Sequence, residues 1–260
     1  MSEKAISVII PARNEEALIG NVLEAIMEAA AHTVNSAVPV HLAETETEVI
    51  VVDNASTDRT AGIVRSYSDR SGVHLVHCPQ LKAPCARNFG ARLARGRFFV
   101  FVDGDTVIPT HALSRIRHLC EAGGYQAGIA RLASLEGGLR ARCWWTYWGL
   151  MRHLPLARAK AMPAFMFCTR AAFHEFGPFD ERVLIGEEWP ILAGIYRARP
   201  EQFIYDQTLT ALSSSRRMEL QPFGYVRTFW RYVWAIVHHS GRYHYDDHHR
   251  HLSPRQERIL

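Results

Sequence analysis

The chain has 260 residues, 48% hydrophobic and 22% charged, a balance that excludes wholesale disorder and allows one α/β domain with its own core. A net charge of +4 is too small to point to nucleic acid, and no zinc-finger or RNA-binding signature accompanies it. Arginine breaks the apolar runs well before the ~18 residues of a membrane span, and the N-terminus lacks a signal-peptide plan. The five cysteines (Cys78, Cys85, Cys120, Cys143, Cys168) show no C-x-x-C spacing, so a cytoplasmic chain with reduced thiols is expected.

Residues 6–10 are a continuous β-branched run, the pattern of a strand buried on both faces. From Glu15 to Ala31, Leu18, Ile19, Val22, Leu23, Ile26 and Met27 recur at helical spacing. A polar stretch to about Glu48 predicts a long loop, and 48–52 a second buried strand. Ser56, Thr57 or Asp58 caps a helix running to about Tyr67. Residues 73–77 form a third strand. A helix opens at Pro84 and stops before Gly96, 97–102 form a fourth strand, and Pro109 opens a helix that ends at Gly123-Gly124. Repeated strand–helix units predict a parallel, doubly wound sheet whose ligands bind beyond the carboxyl ends of the strands.

The second half is less regular. It offers an aromatic segment at 143–151, a strand at 164–168, a helix from Arg170 to Phe176, and a helix beginning near Glu187 with Pro190 in its first turn. One or two strands fall within 203–212. A helix covers 222–239, and a His-rich tail follows.

Three polar clusters then share one sheet edge: Pro11-Ala12-Arg13-Asn14-Glu15, Asp53 to Asp58, and Asp103-Gly104-Asp105. Each alone reads as turn or cap chemistry. The third is the sharpest, because two carboxylates ending a buried strand are costly without a cation. Gly104 lets the backbone turn and a ligand approach closely. A hard divalent ion, Mn²⁺ or Mg²⁺, suits such oxygen ligands and keeps positions open for a diphosphate. Asp53 can accept from a base N–H or a ribose hydroxyl, and Arg87, expected with Asn88 in the first turn of its helix, can reach a phosphate or base carbonyl. Only Lys4, Lys82 and Lys160 are lysines among the 30 basic residues; arginine, the rest, suits phosphate.

The segments SVIIPARNEE, EVIVVDNASTDRT, APCARNFGARLARGRFFVFVDGDT and GPFDERVLIGEEWPI together resemble family 2 glycosyltransferases of the GT-A fold, over roughly residues 5–217. The resemblance implies a GT-A, Rossmann-like α/β domain at 1–220, with a nucleotide-sugar half (1–108), an acceptor half (109–220), and a C-terminal helix and His-rich tail at 221–260. It also implies a UDP- or GDP-sugar donor, a divalent metal and inversion at the anomeric carbon. Carried over by position, Pro11, Arg13 and Glu15 line the nucleoside pocket, Asp53 binds the base, and Arg87 lies beside base or phosphate. Asp103 touches ribose or metal, and Asp105 is the main metal ligand. The family's usual Glu-Asp reads Glu187-Glu188 here, so Glu188 is the expected general base and Glu187 the alternative. The segment Ser213 to Arg217 resembles one in soluble members, where Arg216 and Arg217 would close over the diphosphate. The Q-x-x-R-W pattern of processive synthases is absent, which favours single additions.

The acceptor can be a saccharide, a lipid-linked molecule or a small molecule. Trp189 can stack on a sugar, and the aromatic segment 143–151 can form an acceptor wall. The helix at 222–239, with Arg227 and Arg231 amid aromatic residues, either packs on the domain or touches a membrane surface peripherally. His238, His239, His244, His248, His249 and His251 can add a metal ligand. A nucleotidyltransferase would need a glycine-rich loop after the first strand, which is missing. A donor-binding protein without turnover remains a second alternative.

Overall fold

The computed structural model of the chain describes residues 4–34, 46–71, 73–160, 164–183 and 185–238. In chain order it forms β1 (Ile6–Ala12), α1 (Ile19–Thr33), β2 (Thr47–Asp53), α2 (Thr60–Ser71), β3 (Val73–His77), α3 (Ala83–Leu93), β4 (Phe98–Val102), β5 (Thr106–Val107) and α4 (Ala112–Glu121). There follow β6 (Ala127–Ser134), α5 (Leu139–Met151), β7 (Phe165–Thr169), α6 (Arg170–Phe176), α7 (Trp189–Ala198), β8 (Phe203–Ser213), α8 (Arg216–Glu219) and α9 (Gly224–His238). The strands make one sheet in the order β3-β2-β1-β4-β7-β6-β8-β5.

The four strands β3-β2-β1-β4 are parallel, as the strand–helix alternation predicts. The apolar runs of β1, β2 and β4 are buried on both faces, whereas β3 at the sheet edge leaves His74 and His77 exposed. Val49 and Val51 of β2 join the main core with α1 and β1, while Ile50 and Val52 face a smaller cluster with Cys78, Cys85 and Ala86 of the α3 side. The two-residue alternation of a strand divides the run between these cores.

Beyond β4 the expectation of a purely parallel, doubly wound sheet fails. β7 runs antiparallel to β4 and to β6, β6 is parallel to β8, and β5 is antiparallel to β8. The reason is α5. β6 ends at the carboxyl edge and β7 starts there, so α5 lies along that edge instead of recrossing the sheet. The start of α7 returns to the same edge, which delivers Glu188, the residue before its first turn. The helix expected from Glu187 thus begins at Trp189, and Arg87 and Asn88 sit in the second turn of α3, not its first.

Strand β6 and the helical state of 143–151 were not expected. Gly128 explains the first: a Cβ there would lie 2.5 Å from Cζ of Phe167 and 2.7 Å from a methyl of Ile204, so only glycine fits between β7 and β8. The core under β4 is aromatic, with Phe99–Phe173 centroids 5.5 Å apart and Phe101–Phe179 4.8 Å apart. Each such pair adds roughly 1 kcal/mol beyond burial. The predicted loop before β2 (35–45) and the His-rich tail (239–260), with His239, His244, His248, His249 and His251, lie outside the described residues.

Candidate active site at the carboxyl edge of the sheet

The turns after β1 and β2 are fastened together. The amide of Asn14 donates to Ser56 Oγ (3.2 Å), Thr57 N–H to Asn14 Oδ1 (2.8 Å), and Glu15 N–H to Thr60 Oγ1 (2.8 Å). Asn14 and Ala55 both hold φ near 54°, a left-handed conformation that costs a non-glycine residue energy and persists because its surroundings impose it. Asp53 is buried at the end of β2. Its Oδ1 accepts the Ser56 N–H (3.2 Å), and its Oδ2 lies 3.1 Å from Nδ1 of His77, its register partner on β3. His77 carries no motif; the parallel register puts the last residue of β3 beside the last residue of β2.

Asp103-Gly104-Asp105 turns directly from β4 into β5. Gly104 presses against β1, where a Cβ would come within 3.0 Å of Glu15 Cγ. Asp103 accepts from Arg87 Nη2 (2.6 Å), and Arg87 Nη1 donates to Glu187 (3.0 Å). Arg87 is thus a buried strut between two carboxylates, with its guanidinium 5.6 Å from the Phe179 ring. Burial opposes its charge, but Asp103 and Glu187 outweigh that and hold it protonated. Asn88 exchanges two hydrogen bonds with the backbone of Phe179 (2.9 and 3.0 Å), fastening the segment that leads to Glu187.

Asp105 is buried, and desolvation raises its pKa to about 6. Strand β5 brings it to the end of β8: Thr106 pairs with Ser213, and Ser214 N–H donates to the Asp105 carbonyl (3.1 Å). This pairing places Arg216 and Arg217 over the β1 turn, where both clamp the Glu15 carboxylate. Their second contacts reach the carbonyls of Asn14 (3.3 Å) and Arg13 (3.4 Å). Burial still dominates at Glu15 and raises its pKa to about 7. Glu136, unremarked in the sequence, holds this turn by accepting from Ser214 Oγ and Ser215 N–H.

A cavity of about 230 Å³ opens beside the acidic turn. Its lining joins the charged groups Asp103, Asp105, Glu188, Arg152, Arg158 and Arg217 with the rings of Trp144, Trp148, Trp189 and Tyr232. Glu188 is buried, and its Oε2 has no hydrogen-bond partner. Burial, and then the adjacent Glu187, push its pKa well above the carboxylate range. Arg152 lies four residues beyond Trp148 and eight beyond Trp144, so the three share one side of α5 and its end. Burial lowers the Arg152 pKa to about 10. Pro11 and Ala12 end β1 against β2, where Ala12 is in register with Asp53. Among the described residues no group of three or more His, Cys, Asp or Glu side chains is arranged to hold a metal by protein ligands alone. No described helix is long and apolar enough to cross a membrane.

The family model described as Glycosyl transferase family 2 matches residues 7–182. The chain is 30% identical over 170 residues to the succinoglycan biosynthesis protein ExoO of Rhizobium meliloti, an alignment covering 56% of this chain and 46% of that protein. It spans about a fifth of other curated relatives. Among solved structures it is similar to Staphylococcus aureus TarS 1-349 in complex with UDP-GlcNAc, with a TM-score of 0.59 and 17% identity, covering 89% of this chain and 65% of that one. It is also similar to the mannosyltransferase PcManGT of Pyrobaculum calidifontis in complex with GDP-Man and Mn²⁺, with a TM-score of 0.59 and 20% identity, covering 89% and 61%. These likenesses bear out the GT-A architecture, and the family match, which runs from Ser7 to Arg182, means that the chain belongs to glycosyl transferase family 2.

Proposed function

We propose that the chain is a metal-dependent, inverting glycosyltransferase that moves a sugar from a UDP- or GDP-sugar to an acceptor hydroxyl. The observation that carries this reading is the cavity itself, where Asp103, Asp105, Arg217 and the proton-acceptor candidate Glu188 share one space with an aromatic wall.

The donor set fits Mn²⁺ or Mg²⁺. A buried Asp105 and a neighbouring Asp103, without a third protein ligand, suit an ion that takes one or two carboxylates and completes its shell with diphosphate oxygens and water. When bound, the ion would neutralise charge on the departing diphosphate. The chain's own residues do the rest. Asp53 and the fastened turns around Asn14 and Ser56 receive the nucleoside. Arg216 and Arg217 exchange Glu15 for phosphate oxygens, a trade between like partners. Glu187 is committed to Arg87. This leaves Glu188 Oε2 to take the acceptor proton as the hydroxyl oxygen attacks the anomeric carbon from the face opposite the diphosphate. Its raised proton affinity suits that task. Trp144, Trp148 and Trp189 offer faces on which an acceptor can stack.

The test is a panel of UDP-, GDP- and TDP-sugars, with and without Mn²⁺, read by thermal shift and by nucleotide release. One nucleotide class should stabilise the chain only with metal and be turned over. Metal-dependent binding with no turnover under any acceptor would instead fit a donor-binding protein, and tight metal-independent binding would contradict the metal assignment.

A further inference from the structure

The geometry points to a docking surface for an anionic lipid bilayer on the outer face of α9, extended by α5. The two faces of α9 differ in what they do. On the inner face Tyr225 and Tyr232 pack on Trp144 of α5, and Phe229 packs on Tyr147. Thr228, Tyr232 and Ile236 also line the cavity. On the outer face Phe223, Val226 and Trp230 follow one another at steps of three and four residues, and all are exposed. Phe223 is 84% exposed and Trp230 64%. Phe223 also holds a φ of 56°, a conformation that a bulky side chain adopts only under constraint. A strained backbone that presents a phenyl ring to solvent is not explained by the core. Exposed Tyr147 and Leu150 of α5 continue the patch, since Tyr147 lies against Phe229, which neighbours Trp230.

Charge selects the occupant. Between them, α5 and α9 carry Arg140, Arg142, Arg227 and Arg231 and no aspartate or glutamate. Arg140, Arg142 and Arg227 are exposed. Tryptophan with arginine at the rim suits the headgroup region of a negatively charged membrane, whereas two copies of this face would oppose like charges. No described helix is long enough to span, so α9 lies in the interface plane. A helix with side chains is about 10 Å across, so the cavity wall would sit one helix above the lipid surface.

The intact chain should sediment with vesicles of phosphatidylcholine and phosphatidylserine, less with phosphatidylcholine alone, and less at high salt, with a blue shift of tryptophan emission. Phe223→Gly, which relieves the strained φ, should keep or raise Tm, and combined with Trp230→Ser it should weaken vesicle binding at least about tenfold. Nucleotide release in vesicle-free buffer should be unchanged in that variant, so a failure of docking and a failure of the transferase reading are separable. Absence of binding to phosphatidylserine vesicles, equal binding by the variant, or a dimer in light scattering that Trp230→Ser dissolves would each overturn the proposal.

Discussion

The parallel half of the sheet and the aromatic layer of α5 and α9 build their parts of the site by opposite means. At the ends of β1, β2 and β4, polar groups stand on short turns, each fixed by hydrogen bonds from another turn, and the strands beneath supply the stability. In the aromatic layer the side chains that line the cavity are also the packing: Trp148 meets Trp144, Tyr147, Phe229 and Tyr232. The contrast separates chemistry from stability at the strand ends and joins them in the layer above. Substitutions at the first should erase turnover at little structural expense, and substitutions at the second should weaken the fold and change acceptor binding together.

The sharpest break comes from Asp105→Asn. Nucleotide release should fall by at least about 10³-fold. Tm should hold or rise, because the buried carboxyl is already pushed up to about 6. Activity near that of the native chain would remove Asp105 from the site. Next, Glu188→Gln should lower kcat by roughly 10²- to 10⁴-fold with donor KM unchanged. Glu187→Gln should instead act on donor KM by loosening Arg87, and the reverse pattern in steady-state kinetics would swap the two roles. On the aromatic side, Trp148→Ala should cost about 3 kcal/mol in urea unfolding and raise acceptor KM more than donor KM. A neutral effect on both would separate the layer from the cavity.

The smallest effect is one of pH. Glu15 and Asp105 have folded pKa values of about 7 and about 6, above their ordinary values of 4.5 and 3.8. Their contribution is therefore full below the unfolded values and is lost as pH rises through the folded ones. Tm of the ligand-free chain should decline between about pH 4.5 and 7, and Mn²⁺ with a nucleoside diphosphate should narrow the decline. Glu48, Asp58 and Asp206 are shifted down, so they act in the opposite sense and at more acid pH, and a flat profile across this window would contradict the two raised values.

The strand ends were legible because a β-branched run followed by Asp or by Pro-x-Arg-Asn is a local pattern, and parallel pairing puts such patterns on one edge. Arg87 shows the limit. Its place in a helix was readable, but its burial between Asp103 and Glu187 depends on a partner 100 residues away. Strand β6 was illegible because Ala127 and Gly128 carry no strand preference, and their small size answers to Phe167 and Ile204 across the sheet. The aromatic segment 143–151 has apolar or aromatic residues at nearly every position, so no alternation with polar residues marked it as a helix until α9 supplied the second surface. For the helix at 222–239 the packing reading holds on one face, where Tyr225, Phe229 and Tyr232 meet α5, while Trp230 is exposed on the other.

The clamp on Glu15 joins the start of the chain to positions about 200 residues later. The family model matches as far as residue 182, and both guanidinium groups lie beyond that stretch. A chain that ended at β4 would still hold Glu15 N–H on Thr60 but would lack both guanidinium partners of its carboxylate. The arginine side of this corner is therefore completed only when β8 has joined the sheet beside β6 and β5.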